Sequence, residues 1–202
     1  MIVVDEIEQL SEEWFEAKLG VPSASHFDLI ITTEGKPSES AEKYMYRLAY
    51  ERITGKPAST YMSYDMKRGI ENEPAARLLY EILYGVDVRQ VALCYLDEQR
   101  KFGSSPDGLV GDDGGLEIKD AKPEVQIERL LHGWSKRKHF QQIQGNLLVT
   151  GRKWWDRMSH CPGLKPLFHR YERDEPFLAA LRVELESFCE RLDETEKQLR
   201  EL

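Results

Sequence analysis

The sequence predicts an α/β fold in which a helical N-terminal part precedes a mixed β-sheet flanked by helices, and a long helix closes the chain. Three patterns predict it. Apolar residues recur at helical spacing through residues 7–84, short β-type segments bounded by turn residues follow from Val86, and a last helical stripe occupies residues 176–199. No internal repeat, low-complexity tract or linker interrupts the 202 residues. They read as a single domain, mainly helical over 1–84, with a sheet core over 86–171 and a C-terminal helix over 174–200.

The elements follow in order. Residues 7–18 form a short helix with Leu10, Trp14 and Phe15 at helical spacing, stopped by Gly20 and Pro22. Ser23 and Ser25 can each cap a second helix that carries Phe27, Leu29 and Ile30. Residues 39–54 form a helix with Tyr44, Leu48 and Ile53 inward, ended by Gly55 and Pro57. Residues 64–84 are helical as well, with Pro74 starting a new helix or kinking the old one. Residues 86–88, 91–96 and 101–105 are β segments, and a hairpin over 107–119 extends their sheet. Helix returns near Glu124, and 139–149 is amphipathic. Strands are expected at 152–161 and 167–171, and Phe177, Leu181, Leu185, Phe188 and Leu192 stripe the last helix as plain core.

The hairpin carries the chemistry. Residues two apart on a strand share a face, so Glu117 and Lys119 project together while Ile118 turns toward a core. The turn Gly111-Asp112-Asp113-Gly114-Gly115 reverses the chain and lays the Asp107 arm beside the Glu117 arm. Two carboxylates and one ammonium then meet, which suits a divalent metal and the activation of water. Pro-Asp, a spacer, then Glu-x-Lys is the PD-(D/E)xK pattern of restriction-endonuclease-like cores. Taken alone, so short a pattern also fits a surface hairpin with an ion pair.

Composition narrows the field. Hydrophobic residues at 41% and charged residues at 32% suit a globular chain, and no apolar run approaches the ~20 residues that span a bilayer. Cys94, Cys161 and Cys189 are scattered and odd in number, which excludes a disulfide framework and fits a reducing cytoplasm. They also cannot supply the four clustered thiolates of an iron–sulfur nuclease. His26, His132, His139, His160 and His169 lack ligand spacing, which argues against zinc. A net charge of −8 argues against a nonspecific nucleic-acid coat. Lys136, Arg137, Lys138, Arg152, Lys153 and Arg157, against Asp156 alone, form a basic stripe that fits either DNA in a confined groove or solvated helix faces.

Several motifs agree in order along nearly the whole chain. They are Trp14-x-x-x-Lys18-Leu-Gly-Val-x-x-Ala24-Ser25, Gly69-x-x-x-Glu73 with Ala76-Arg77 and Tyr80-Glu81, Ser105-Pro-Asp-Gly-Leu, Gly115-Leu-Glu-Ile-Lys119, and Gln142-x-Gln144 leading into Leu148-Val-Thr150. In these the chain resembles the phage λ exonuclease and YqaJ-type viral recombinase nuclease family.

The resemblance implies that Asp107 and Glu117 ligate divalent metal, with the Ile118 carbonyl as a third protein oxygen and Glu73 completing one of two sites. Mg²⁺ is the implied metal, two ions, with Mn²⁺ as a substitute. Lys119 would orient and help deprotonate the attacking water, and Gln142 would contact the scissile or terminal phosphate. Lys18, Ser25 and Ser105 fall where the family binds a 5′-phosphate, and Met66 lies near its apolar wedge that splays the duplex end. Two departures stand out: the family's pocket arginine is Lys18 here, and Asp120-Ala121-Lys122-Pro123 follows Lys119 in place of a shorter Lys-Cys-Pro continuation.

Hydrolysis of a phosphodiester builds negative charge on phosphorus and on the leaving oxygen, which hard cations held by carboxylates offset. The expected activity is a 5′→3′ exonuclease on double-stranded DNA ends that releases 5′ mononucleotides and leaves a 3′ single-stranded tail. The resemblance also implies a homotrimeric ring, a phage-type single-strand annealing protein as partner, and a cytoplasmic setting in a bacterial host. The alternatives are a restriction- or repair-type PD-(D/E)xK endonuclease and, less favoured, a DNA-end-binding module without catalysis. On their own chemistry, Gln142 and Gln144 cannot both face one site from a helix, and only one indole of Trp154-Trp155 can enter the core from a strand.

Overall fold

The computed structural model describes residues 1–59, 62–135 and 137–202. Its centre is a five-stranded sheet in the order β2-β5-β6-β7-β8, made of Val88–Arg89, Gly108–Val110, Gly114–Asp120, Trp154–His160 and Leu167–Glu172. Strands β6 and β7 are parallel, with Glu117 beside Arg157 and Ile118 beside Met158, and the other pairs are antiparallel. A parallel pair needs a crossover, which helices α4 (Pro123–His132) and α5 (Phe140–Thr150) supply.

The expected hairpin is present as β5 and β6, joined by the turn at Gly111. The strands before it divide in a way the sequence does not announce. β2 joins the main sheet, whereas β3 (Leu93–Tyr95) and β4 (Gly103–Ser104) pair in a separate three-stranded sheet with β1 (Ile2–Val4). The strand β1 escapes a periodicity reading because three residues, Ile-Val-Val, show no alternation.

The N-terminal helices place the walls of the site. Helix α1 is shorter than its apolar spacing predicts, Glu12–Lys18, because the Ser11 side chain caps the backbone N–H of Trp14 and starts it there. Ser25 does not cap a helix: it lies within the 3-10 helix Ala24–Leu29, whose N-cap position is Ser23. Helix α2 (Ala41–Thr54) buries Tyr44 and Leu48 as expected, but Ile53 is exposed near the helix end, past the packing surface. Helix α3 runs unbroken over Tyr64–Tyr84 with Pro74 inside it. That proline removes the donor that would bond the Ile70 carbonyl, yet Ala76 and Tyr80 beyond it remain buried against the sheet and hold the helix together.

Helix α6 (Glu175–Arg200) buries the predicted stripe against α2 and α5, with Leu181, Leu185, Phe188 and Leu192 inaccessible to solvent. Each such side chain contributes about 1.5–3 kcal/mol of burial. Arg52 adds ion pairs from α2 to Asp193 and Glu196 on α6. Close approach requires glycine at the positions that set the site: a Cβ at Gly145 would lie 2.5 Å from the Phe27 ring, and one at Gly115 would lie 2.3 Å from the Trp155 ring. Through Gly145, helix α5 sits directly on the 3-10 helix, so that Gln142 and Ser25 line one cleft.

Of the tryptophan pair, Trp155 is the core member and Trp154 lies under the Arg170 guanidinium, 3.7 Å from its ring. The basic stripe divides on folding, with Lys138 left exposed. Arg157 is fully buried and donates to the Ser135 and Lys138 carbonyls, and Arg152 donates to the Val110, Gly111 and Gly114 carbonyls. Lys153 and Arg137 pair with Asp113 and Glu34, and Lys136 lies outside the described residues. Arginines with several donors satisfied by carbonyls are structural, so charge spacing alone overstated the surface field.

Candidate active site

Strand β6 sets the first two groups. Ile118 packs into the cluster with Tyr80, Leu116 and Met158, so Glu117 and Lys119 emerge on the other face, where Lys119 Nζ lies 2.7 Å from Glu117 Oε1. Glu117 is only 2% exposed. Such a buried carboxylate needs donors on both oxygens, and helix α5 provides them. Gln142 Nε2 donates to Oε1 at 2.6 Å and Asn146 Nδ2 donates to Oε2 at 3.2 Å. Lys119 Nζ also donates to Gln142 Oε1 at 3.1 Å, closing a triangle. Gln144 points elsewhere, bonding the Glu172 carbonyl and the Asp174 N–H.

Asp107 enters from the residue before β5, and its Oδ2 accepts the Ile118 N–H at 2.5 Å. Burial, then the charges of Glu117 and Glu73, hold its carboxyl well above the usual range. Glu73 comes from α3 and pairs with Arg77 one turn along, whose Nε donates to the Asp107 carbonyl at 3.0 Å. Burial raises the Glu73 pKa, and Glu117 adds to this against the opposing pull of Arg77. Burial works to lower the Lys119 pKa, but Glu117 and Asp107 outweigh it and raise it, so the ammonium is the resident form.

A cleft of about 220 Å³ collects these groups together with Lys18, Ser25, Ser105 and Ile70. It shares Gln9, Leu10, Ile70 and Glu73 with a neighbouring cavity of about 620 Å³. Lys18 Nζ sits 3.8 Å from the Trp14 ring centre, and the Trp14 indole N–H donates to Ser105 Oγ at 3.2 Å and to the Ala92 carbonyl at 3.0 Å. Burial lowers the Lys18 pKa to about 8, while the ring face favours the cation. Ser25 Oγ lies 3.0 Å from His26 Nδ1. Seven of the ten expected residues line this cleft, and Lys119 and Ile118 join them through bonds to Glu117, Gln142 and Asp107. Met66, in the first turn of α3, is 54% exposed and does not line the cleft, where Ile70, one turn on, takes the apolar position.

Three contributors lay outside the expectation. Asn146 could have been found, because it is four residues from Gln142 on a helix and so on the same face. Trp14 was visible only as part of a motif. Asp120 gave no local signal: its carboxylate accepts from Arg68 Nε at 2.6 Å and Asn72 Nδ2 at 2.9 Å, with His160 Nδ1 at 3.7 Å. It clamps α3 to the end of β6, one residue past Lys119, and so fixes the turn that carries Glu73. Asp120→Ala is expected to cost about 2–4 kcal/mol, read by urea unfolding, since the Arg68 and Asn72 donors lose their acceptor at a nearly buried site.

The donor set tests the implied metal. Among the described residues, no group of three or more His, Cys, Asp or Glu is gathered as a formed metal centre. Glu117 is engaged by Lys119, Gln142 and Asn146, and Glu73 by Arg77. The chemistry nevertheless fits a hard divalent cation: the donors are carboxylate oxygens, and burial, with repulsion from neighbouring carboxylates, raises the Asp107 and Glu73 pKa values. A cation there would offset that repulsion.

A mixed sheet that presents Asp107 at the start of one strand and Glu117-x-Lys119 on the next, with carboxylate and amide support from flanking helices, defines a nuclease core of the PD-(D/E)xK class. The chain belongs to the YqaJ-like viral recombinase domain family, whose model matches residues 13–153 and so takes in the nine converging residues. It is 34% identical to an alkaline exonuclease from Laribacter hongkongensis, with a TM-score of 0.84 over 95% of this chain and 97% of that one. The same enzyme in complex with dAMP matches equally. A phage-related exonuclease from Haemophilus somnus 129PT shares the fold at 13% identity, with a TM-score of 0.67 over 89% of this chain and 96% of that one. No curated protein is similar enough in sequence to match.

Proposed function

We propose that the protein is a metal-dependent 5′→3′ exonuclease that degrades one strand of double-stranded DNA to 5′ mononucleotides and leaves a 3′ single-stranded tail for recombination by strand annealing. The family and the likeness to an alkaline exonuclease support a DNA exonuclease, and the dAMP bound by that relative is the kind of product the reaction would release. The observation that carries the reading is one cleft in which the Asp107, Glu73 and Glu117 carboxylates face the Lys18, Ser25 and Ser105 pocket. The carboxylates suit cleavage, and the pocket suits a terminal phosphate.

Asp107, Glu117, Glu73 and the Ile118 carbonyl would hold Mg²⁺, two ions, with Mn²⁺ able to substitute. The bound metal would supply charge to the scissile phosphate and ease deprotonation of water. The chain's own residues do the positioning. Gln142 and Asn146 fix the Glu117 carboxylate by both oxygens, so its orientation is set before substrate arrives. Lys119, held as an ammonium, orients the nucleophile and stabilises charge rather than removing a proton itself. Gln142 would contact phosphate through the amide hydrogen that Glu117 does not take.

Lys18, on its Trp14 platform, would attract the 5′-phosphate with Ser25 and Ser105 as hydroxyl partners. Its pKa near 8 sets a pH dependence, because the cation is complete below that value and lost as pH rises through it. The ratio of kcat/KM for 5′-phosphorylated over 5′-hydroxyl duplexes is expected to fall about tenfold between pH 7 and 9.5. In Lys18→Arg the ratio should stay flat, since guanidinium remains charged throughout.

A homotrimeric ring would let an acidic chain enclose DNA. Exposed Leu78 and Ile82, one turn apart on α3, are apolar surface that such an assembly would cover. A single-strand annealing protein is the partner that a 3′ tail calls for, and the bacterial cytoplasm is the setting. Among the described residues no helix is long and apolar enough to cross a membrane. The reading is tested by incubating circular and linearised plasmid with the protein in Mg²⁺ and in EDTA. Loss of the linear form alone, and only in Mg²⁺, is expected. Cleavage of the circle would favour the endonuclease alternative, and binding without cleavage the non-catalytic one.

A further inference from the structure

Helix α2 carries Lys43, Tyr46, Arg47 and Tyr50 at spacings of three and four, which sets them on one surface. Tyr46 and Tyr50 are 53% and 48% exposed, although Tyr44, Met45 and Leu48 of the same helix are buried. The exposed residues border an open groove of about 730 Å³ that Leu29 and Ala58 also line. Phenol rings between two cations match an unpaired nucleic-acid strand: bases stack on the rings and phosphates pair with ammonium and guanidinium. Within a duplex successive bases stay stacked on one another, so two neighbouring ring platforms flanked by cations suit a single strand better.

Two further features agree. Arg47, with its guanidinium 4.7 Å from the Tyr44 ring, has a buried Nε with no hydrogen-bond partner among the described residues. Glu42 accepts the Tyr46 hydroxyl at 2.8 Å and so holds that ring in place. A chain of contacts also links the groove to the cleft. Tyr44 stacks on His26 at 5.5 Å, His26 Nδ1 lies 3.0 Å from Ser25 Oγ, and Ser25 lines the cleft that holds Asp107 and Glu117.

We propose that this face of α2 binds single-stranded DNA, stacking bases on Tyr46 and Tyr50 and pairing phosphates with Lys43 and Arg47, beside the cleft that generates single strands. The proposal rests on the exonuclease reading. The test uses the full chain in EDTA, with binding of fluorescein-labelled dT20 followed by anisotropy across a salt series. Tyr46→Ala/Tyr50→Ala is expected to weaken binding about tenfold or more with little change in salt slope, and Tyr46→Phe/Tyr50→Phe to retain it. Lys43→Gln/Arg47→Gln should weaken binding and flatten the slope. Hydrolysis of saturating linear duplex in Mg²⁺ should stay within about twofold of the unsubstituted protein for the phenylalanine pair.

Unchanged dT20 affinity in both the alanine and glutamine pairs, in a protein that still digests linear duplex, would overturn the groove and leave the exonuclease reading intact. Loss of oligomeric state in the alanine pair by sedimentation, with dT20 affinity unchanged, would overturn it in favour of a second copy covering this face. A protein that neither binds nor digests DNA would overturn both.

Discussion

Asp107→Asn is expected to lower hydrolysis of linear duplex about a thousandfold or more while making the metal-free protein more stable at pH 8. On the proposed function the loss follows from removing a metal ligand and a charge at the reacting centre, where single groups are worth that much. The gain follows from burial. In the fold the Asp107 carboxyl is held above its usual range by desolvation and by Glu117 and Glu73. A carboxyl with a raised folded pKa contributes its stability in full below its unfolded value near 4, and loses it as pH rises through the folded value. Asparagine removes that penalty and keeps an oxygen for the Ile118 N–H. Each kcal/mol recovered should raise Tm by about 2–4 °C at this size. Thermal melts should show the difference at pH 8, its narrowing toward pH 4, and a Mg²⁺-induced rise in Tm for the unsubstituted protein alone. A destabilised Asp107→Asn at pH 8 would contradict the electrostatic account.

The largest structural effect is expected at Asp156. It lies in β7, 2% exposed, between Tyr80 on α3 and Arg170 on β8. The Tyr80 hydroxyl donates to it at 2.7 Å, and Arg170 grips both oxygens at 2.8 and 2.7 Å. Asp156→Ala leaves a buried hydroxyl and a guanidinium without their acceptor, which should cost about 3–5 kcal/mol and lower Tm by about 6–20 °C. Asp156→Asn, which keeps one acceptor, should cost less. Because Tyr80 pins the helix that carries Glu73, reduced activity should track the fraction folded. A Tm within 2 °C of the unsubstituted protein would contradict this role.

Much of the site was legible because strand geometry is unforgiving. Glu117-x-Lys119 can only project together, and a two-armed hairpin can only bring Asp107 to them. Helix α6 and the Gln142/Gln144 division were legible for the same reason: a fixed period decides which residues share a face. What escaped depends on long-range partners. Arg157 reads as surface charge until β7 proves central and its guanidinium meets two loop carbonyls. Asp120 looks like part of an ordinary polar turn until α3 crosses it, and β1 is too short to show a pattern. Ser25 reads as a cap until the segment proves to be a 3-10 turn that starts one residue earlier.

The central claim is that this cleft cuts DNA from a 5′ end. A linear duplex carrying distinguishable labels at the 5′ and 3′ ends of one strand, incubated in Mg²⁺ and in EDTA, tests it most directly. The account predicts early release of the 5′ label as a mononucleotide, late release of the 3′ label, and no release of either in EDTA. Early release of the 3′ label, or release that persists in EDTA, would contradict it.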